Sequence, residues 1–232
     1  SDVYKRQMFT RVRHIAFNTE AERQLCRSVF GRFLAPNSIV GCGIEMAPEA
    51  EWSGVKAKYE LPDEYVLYLG RVSKAKVDKL LPYFLRCKAK YGGDAKLVLV
   101  GGFENEIRKF DSPDILFTGY VSDEEKTTIV RHATVMVNPS PMESLSLLML
   151  EGMQSRIPLL VNGRSKVMKD HCCLSGAGLW YNNGRDFRKK LHRLLSDPEL
   201  RRTMSEKGQA YVREHYDWEI IIPKLRTLIE SI

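Results

Sequence analysis

The chain has 232 residues, of which 44% are hydrophobic and 28% charged, and this composition excludes a disordered polymer, a collagen and a coiled-coil rod. The length allows one large domain or two smaller ones. The 36 Lys and Arg against 29 Asp and Glu leave a net charge of +7, which favours anionic partners such as nucleotides, phosphosugars, acidic lipid headgroups or nucleic acid.

The N-terminal part of the chain contains too few predicted elements for a complete layer. Ser1–Gln7 resembles translated adapter sequence, and we predict that it is not native. Arg13–Asn18 is typical of a short strand, Thr19 begins a helix with acids in its first turn, and Ser38–Val40 is a second strand. Two strands and one helix do not form a stable α/β layer alone. We therefore predict that residues 8–46 are the remnant of a larger N-terminal domain.

A regular alternation of apolar runs and helical stretches follows a segment without periodicity. Residues 47–61 lie between Pro48 and Pro62 and are predicted to be a linker. The predicted strands are Tyr65–Leu69, Lys96–Val100, Ile115–Thr118, Thr134–Val137, Ile157–Val161 and Gly178–Tyr181. Alternating strands and helices predict a doubly wound parallel α/β sheet, a Rossmann-like domain over residues 62–215. In such sheets, ligands bind at the carboxyl ends of the strands.

The C-terminal part is predicted to be helical. Asp197 can cap a helix that has Pro198 in its first turn and runs to about His215. Residues 216–232 are predicted to form a final crossover helix, in which Pro223 kinks or delays the first turn. The core face predicted for this helix consists of Trp218, Ile220, Ile221, Leu225 and Leu228.

A first candidate site follows the first strand of the regular domain. Gly70 permits a tight turn there, and Arg71 and Lys76 lie between the strand and the next helix. A guanidinium and an ammonium beside helix N–H groups are suited to a diphosphate. The alternative for this segment is a solvated basic loop.

A second candidate site contains two glutamates. A Pro-Ser-Pro loop is predicted to end in a helix that starts near Glu143, and Glu151 would then lie two turns on, roughly 12 Å along the axis. Such a pair can hold two ends of one polyhydroxylated ligand. Glu151 has apolar neighbours on its helix and needs a partner. The alternative is a helix-start acid and an ordinary surface glutamate.

These motifs, taken in order, resemble the C-terminal half of a family 4 glycosyltransferase of the GT-B fold. The segments that carry the resemblance are Gly70-Arg-x4-Lys76, Gly119–Asp123, Glu143-x7-Glu151, Val161–Arg164 and Gly178–Tyr181. The resemblance covers about residues 62–232, and residues 13–44 resemble the last strand, helix and strand of the family's N-terminal domain.

The resemblance implies a role for each charged residue of the two sites. Arg71 and Lys76 would contact the diphosphate of a nucleotide-sugar donor, Glu143 the hydroxyls of the transferred sugar, and Glu151 the ribose hydroxyls. The implied reaction is hexosyl transfer to a saccharide or lipid-linked acceptor with retention of anomeric configuration. No metal or other cofactor is expected, because cationic side chains and helix dipoles stabilise the leaving diphosphate.

The resemblance also implies roles for neighbouring uncharged residues. Backbone groups of Leu145, Ser146 and Leu147 would help to bind phosphate, and Tyr120 and Val121 would line the base pocket. The whole enzyme would act in the cytoplasm in bacterial cell-envelope or polysaccharide biosynthesis, with peripheral contact to the inner membrane face as an open alternative.

Several features depart from the family pattern. Ser144 and Ser146 stand where glycines are often found, and Lys166 stands where many relatives have Glu, which makes the donor preference uncertain. The N-terminal half that supplies the acceptor site is missing, so this chain is expected to be inactive alone. His14 lies on the wrong strand for the histidine that this half provides in many members.

Two other classes of function remain open at this stage. A non-catalytic nucleotide-binding or assembly module could share the fold, whereas a nucleic-acid-binding domain rests only on the charge. The basic residues of one predicted helix, Arg185, Arg188, Lys189, Lys190 and Arg193, favour a solvated face. His132, His192 and His215 are expected to be surface or cap residues. The five cysteines form no C-x-x-C pair, which favours buried or unreactive thiols over a metal site.

Overall fold

A computed structural model describes residues 2–31, 35–104 and 112–231. The chain begins with the elements α1 (Asp2–Arg11), β1 (Ile15–Phe17), α2 (Glu20–Phe30) and β2 (Asn37–Ile39). The predicted pair of strands is confirmed, and β1 and β2 pair in parallel. Thr19 begins α2 as predicted, because its hydroxyl accepts a hydrogen bond from Glu22 N at 3.1 Å. Helix α1 includes most of the segment that we predicted to be non-native.

The predicted linker, residues 47–61, contains a helix that the sequence analysis did not predict. This helix is α3 (Trp52–Tyr59), and the carboxylate of Glu51 accepts hydrogen bonds from two backbone N–H groups of its first turn. Val55 of α3 is buried, and Trp52 and Tyr59, partly buried at helical spacing from it, pack against the same core. Trp52 stacks on His132 with the ring centroids 3.9 Å apart.

The larger part of the chain is built around a parallel six-stranded sheet, which confirms the predicted α/β fold. Its strands are β3 (Tyr65–Leu69), β4 (Lys96–Val100), β5 (Ile115–Gly119), β6 (Val135–Asn138), β7 (Leu159–Asn162) and β8 (Gly178–Tyr181). The helices are α4 (Lys74–Val77), α5 (Leu80–Tyr91), α6 (Asp123–Arg131), α7 (Leu147–Gln154), α8 (Lys166–Ser175), α9 (Gly184–Ser196), α10 (Pro198–Tyr216) and α11 (Trp218–Glu230). The short helix predicted between β4 and β5 lies outside the described residues.

Both faces of this sheet are buried, which explains why its strands are continuous apolar runs. Along β3, Tyr65 and Leu67 face one core while Val66 and Tyr68 face the other. Helices α3, α6, α7, α8 and α10 contribute to the first core, and α4, α5 and α9 contribute to the second. Among the helices of the described residues, none has both the length and the apolarity needed to cross a bilayer.

The strand order creates a switch point in the middle of the sheet. The order is β5-β4-β3-β6-β7-β8, so the chain moves outwards from β3 to β5 and then returns to place β6 on the other side of β3. The connections after β3 and β6 therefore diverge, and a crevice opens between them at the carboxyl edge. Every predicted site segment follows the carboxyl end of a strand in this sheet.

The C-terminal helices are confirmed, but the core face of the last one differs from the prediction. Asp197 caps α10 by accepting from Leu200 N at 2.9 Å. Helix α11 is continuous through Pro223. Only Ile221 of the predicted face is fully buried; Leu225 and Leu228 are half-buried, and Trp218 and Ile220 are exposed. The predicted core face therefore holds for Ile221 and in part for Leu225 and Leu228 and fails for Trp218 and Ile220, because α11 packs on the rest of the chain along a narrow line.

Candidate functional site

The turn after β3 holds Arg71 at the carboxyl edge of the sheet. Gly70 has φ 132°, and Gly101 at the end of β4 has φ 129°, both in the region that favours glycine. The two turns are so close that a Cβ on Gly101 would overlap the carbonyl oxygen of Gly70. The hydroxyl of Tyr68 donates to the carbonyl of Arg71 at 2.8 Å. The backbone of this turn is thus fixed, and the exposed Arg71 side chain extends from it.

Lys76 lies one turn further, on α4. The helical stretch that follows β3 is divided into α4 and α5. The Lys76 side chain lines a cavity of about 360 Å³ together with Lys79, Arg164 and Pro139. This cavity lies where β6, β7 and β8 end, on the side of the sheet covered by α4, α5 and α9.

The loop after β6 is held by side-chain amides. Asn138 donates through Nδ2 to Ser146 Oγ at 3.0 Å and accepts through Oδ1 from Ser140 N at 3.0 Å. Asn162, at the end of the neighbouring strand, donates to the carbonyl of Pro139 at 2.9 Å. Both ends of the loop are therefore attached to the sheet, although the loop has no regular structure.

The helix that follows this loop begins at Leu147, so the predicted start near Glu143 is wrong. Leu145 turns inward and is buried, and Ser146 then adopts the left-handed conformation with φ 66° and ψ 71°. The backbone can enter α7 only after this reversal. Glu143 consequently lies in the loop, and the predicted helical separation between Glu143 and Glu151 does not apply.

Glu143 and the first turn of α7 line a second cavity of about 370 Å³. Its other walls include Asn18 and Cys42 from the N-terminal part of the chain. The Thr19 hydroxyl donates to the Ser144 carbonyl at 3.4 Å across the same boundary. Ser146 makes no side-chain cap for α7. The N-terminal end of the α7 dipole therefore faces a cavity that also contains a carboxylate.

Electrostatics connects this cavity with the Arg71 turn. Burial, and secondarily the negative charge of Glu143, raises the pKa of Tyr68 to about 12. The same hydroxyl holds the Arg71 carbonyl. Tyr68 thus holds the backbone of the Arg71 turn, and its pKa responds to the charge of Glu143 on the other loop at the switch point.

Glu151 lies inside α7, and the expectation that it needs a partner is confirmed. Lys126 of α6 places its Nζ 3.2 Å from Glu151 Oε1. Glu151 Oε2 is buried and has no hydrogen-bond partner. Lys126 was not predicted, because in the sequence it is only a lysine four residues after Ser122, the residue that caps α6.

Tyr120 and Val121 form the turn between β5 and α6. Tyr120 is 87% exposed, and its ring covers Gly102, where an added Cβ would lie 2.5 Å from the ring. Val121 packs against the core on the α6 side. The exposed ring at the end of β5 is available for stacking with a planar ligand.

The structure brings the predicted residues to one edge of the sheet, but it does not place all of them in one cavity. Glu143, Leu145, Ser146 and Leu147 share a cavity, whereas Lys76 lines the other. Arg71 is exposed between the two loops, and Glu151 contacts Lys126. The residues of the Glu143 loop therefore lie together, whereas Arg71 and Lys76 do not line the same cavity.

Other residues considered in the sequence have structural partners. Lys166 Nζ donates to Gln24 of α2 at 3.1 Å, and His14 lies 3.1 Å from the Ser38 hydroxyl within the N-terminal part. His171 is buried 3.0 Å from the Tyr211 hydroxyl, and burial lowers the pKa of His171 to about 4, with the Leu145 backbone acting in the opposite sense. The described residues contain no cluster of His, Cys, Asp and Glu able to hold a metal ion.

The fold is that of GT-B glycosyltransferases. A family model described as "Glycosyl transferases group 1" matches residues 54–211. The chain belongs to this family. Its matched region contains the turns after β3 and β5, the Glu143 loop and the Lys126–Glu151 pair.

Individual relatives agree with this assignment. The chain is 30% identical over 172 residues to an alpha-D-kanosaminyltransferase of Streptomyces kanamyceticus, which covers 68% of this chain and 43% of the relative. Sucrose-phosphate synthase from Thermosynechococcus elongatus superimposes with a TM-score of 0.82 at 19% identity, over 99% of this chain and 60% of that one. HepE from Anabaena, solved in complex with UDP and glucose, gives 0.80 at 12% identity, over 99% and 66%. The chain spans about two fifths of the length of the curated relatives that it matches.

Proposed function

We propose that this chain binds a nucleoside-diphosphate sugar and that the whole protein is a retaining transferase that moves the hexosyl group to a saccharide or lipid-linked acceptor. The observation that carries the proposal is the cavity at the switch point, which Glu143 and the N-terminal end of α7 share. A carboxylate that accepts from sugar hydroxyls and a helix end that attracts phosphate are there next to each other.

The leaving diphosphate would be stabilised by fixed positive charge. The α7 dipole and the backbone of Leu145, Ser146 and Leu147 would face its oxygens, and Arg71 and Lys76 would reach it from the turn after β3. Because these groups are in place before the reaction, they can stabilise the charge that develops as the glycosidic bond breaks. We therefore propose that no metal ion is required.

The remaining contacts would orient the donor. Glu143 would accept hydrogen bonds from the transferred sugar, and Glu151 from the ribose hydroxyls. Tyr120 and Val121 would contact the base, with the exposed Tyr120 ring as a stacking surface. The HepE complex with UDP and glucose, which has the same fold, supports a nucleotide and a sugar as the two parts of the ligand.

Calorimetric titration of the purified chain with UDP and GDP tests this proposal. We expect one of the two to bind, and we expect Arg71→Ala to weaken its binding about ten-fold or more, because a charge-assisted hydrogen bond contributes about 1.5–3 kcal/mol. The matched control is Arg185→Ala, another exposed arginine at the start of a helix after a strand, which should bind like the parent. No binding of either nucleotide at millimolar concentration would refute the donor site.

The corresponding UDP-hexoses and GDP-hexoses distinguish an enzyme from a non-catalytic nucleotide-binding module. A transferase should gain affinity from the sugar, and Glu143→Ala should remove that gain while leaving affinity for the nucleotide unchanged. A module that only binds nucleotide would show no gain that depends on Glu143.

A further inference from the structure

The ion pair between α6 and α7 is more buried than the other lysine–carboxylate pairs near the site. The side chains of Lys126 and Glu151 are 24% and 13% exposed, and Nζ lies 3.2 Å from Oε1. Lys126 also lies 3.6 Å from Asp123 Oδ1, but that carboxylate is 81% exposed. Glu151 is therefore the principal partner of Lys126.

The two oxygens of Glu151 differ in their surroundings. Oε1 accepts from Lys126, whereas Oε2 is buried and has no hydrogen-bond partner within the described part of the chain. A buried acceptor without a donor is costly. A ligand hydroxyl that donates to Oε2 would remove this cost, so the pair presents one prepared acceptor.

The position of the pair indicates which part of a ligand would meet that acceptor. Lys126 lies one turn beyond the Tyr120–Val121 turn, which the proposed function assigns to the base. Glu151 lies one turn beyond the start of α7, where the proposed function places the diphosphate. The group that connects base and diphosphate in a nucleotide is the ribose. The two helices thus approach each other where the ribose would lie.

We infer that Lys126 is a positioning residue of the donor site, which holds Oε1 of Glu151 so that Oε2 accepts from a ribose hydroxyl. This inference rests on the proposed function. Lys126 fixes the rotation of the carboxylate and supplies the opposite charge that a half-buried carboxylate needs. Its role is selectivity for ribose over sugars that lack these hydroxyls.

The test compares UDP with dideoxy-UDP, which lacks both ribose hydroxyls, and runs the GDP pair in parallel. The parent should bind the ribonucleotide about ten-fold or more tightly than the dideoxy analogue, since a hydrogen bond to a charged group is lost. Lys126→Met should abolish most of that preference and leave dideoxy-UDP binding unchanged. Lys126→Arg, which keeps the charge and a donor, should retain part of the preference.

Two further variants separate positioning from loss of fold. Lys126→Met leaves Glu151 without a partner and could unfold the chain, whereas the double variant Lys126→Met/Glu151→Gln removes both charges and should lose the same preference as either single change. The matched control is Lys58→Met, because Lys58 also pairs with an α6 glutamate, Glu125, at 2.6 Å but is 58% exposed. Lys58→Met should leave the affinities for UDP and for dideoxy-UDP unchanged.

The outcomes distinguish failure of this inference from failure of the proposed function. If the parent binds neither nucleotide, the proposed function fails. If the parent prefers the ribonucleotide and Lys126→Met keeps that preference, Lys126 does not position Glu151. Equal weakening of UDP and dideoxy-UDP binding by Lys126→Met would show a purely structural role and would also overturn the inference.

Discussion

The two parallel sheets of the chain differ in how completely they are covered. In the six-stranded sheet, Val66, Leu67 and Leu97 are fully buried between helices on both faces. In the β1–β2 unit, Ile39 is 38% exposed, and Val29 on the adjoining helix is 66% exposed. The large sheet therefore has its own core, whereas the small unit obtains much of its stability from contacts with the rest of the chain.

Some of those contacts come from the C-terminal helices. The backbone N–H of Ile44 donates to the Tyr216 carbonyl at 2.9 Å, and the side chain of Ile221 packs closely against Gly41. The Trp218 ring lies directly over Gly43. The comparison teaches that the six-stranded sheet gives one side of the crevice a stable core, and that the opposite wall, which includes Asn18 and Cys42, is held less strongly.

The largest effect is expected from Gly101→Ala, which would destabilise the six-stranded sheet at the turn after β4. The φ of 129° is unfavourable for alanine, and the added Cβ would overlap the Gly70 carbonyl. We expect a loss of about 3 kcal/mol or more in the free energy of unfolding, measured by urea denaturation. The control Gly92→Ala has φ 69° but no atom within 4 Å of its Cβ, so it should lose only about 1 kcal/mol. Equal losses would show that backbone conformation alone matters.

A smaller and local effect is expected from Ile221→Ala, which sharpens the difference between the two regions. Removing this fully buried side chain should weaken docking of the β1–β2 unit by about 2 kcal/mol. Hydrogen exchange should then become roughly thirty-fold faster at Val40 N, which donates to Phe17 O, with β3 and β4 unchanged. Ile229→Ala, 71% exposed on the same helix, is the control. Uniform acceleration across both sheets would contradict two separate regions.

The large sheet could be predicted from the sequence because fully buried strands are apolar runs. The six runs from β3 to β8 were found from the sequence, and the starts of α2 and α10 followed from Thr19 and Asp197. Helix α3 was missed, although Trp52, Val55 and Tyr59 face one core at helical spacing, because only Val55 of the three is fully buried and the cap is a glutamate. The exposed residues of α11 were misassigned because an apolar pattern does not show how much partner surface exists.

The candidate site could be predicted in its residue types and only partly in its geometry. The start of α7 depends on the left-handed conformation of Ser146, which a hydrogen bond from Asn138 supports. Lys126 is one of several charged residues on a polar helix, and only the packing of α6 on α7 turns it towards Glu151. Local sequence patterns record neither of these tertiary contacts, so the Glu143 helix was wrong and Lys126 was missed.

The smallest effect, on the attachment of α3 to α6 within the larger region, is expected from Glu125→Gln and depends on pH. Glu125 accepts from Lys58, Ser122 N and the Tyr59 hydroxyl, and these hydrogen bonds, with Lys58 first, lower its pKa to about 2 from the ordinary 4.5. The carboxylate is thus favoured in the folded chain, so its stabilisation is complete above about pH 4.5 and disappears as the pH falls towards 2. We expect Glu125→Gln to cost about 1 kcal/mol at pH 7 and progressively less below pH 4.5 in denaturation curves. A constant difference from pH 7 to pH 3, or an equal effect of the exposed control Glu214→Gln, would contradict the role of this carboxylate in attaching α3 to α6.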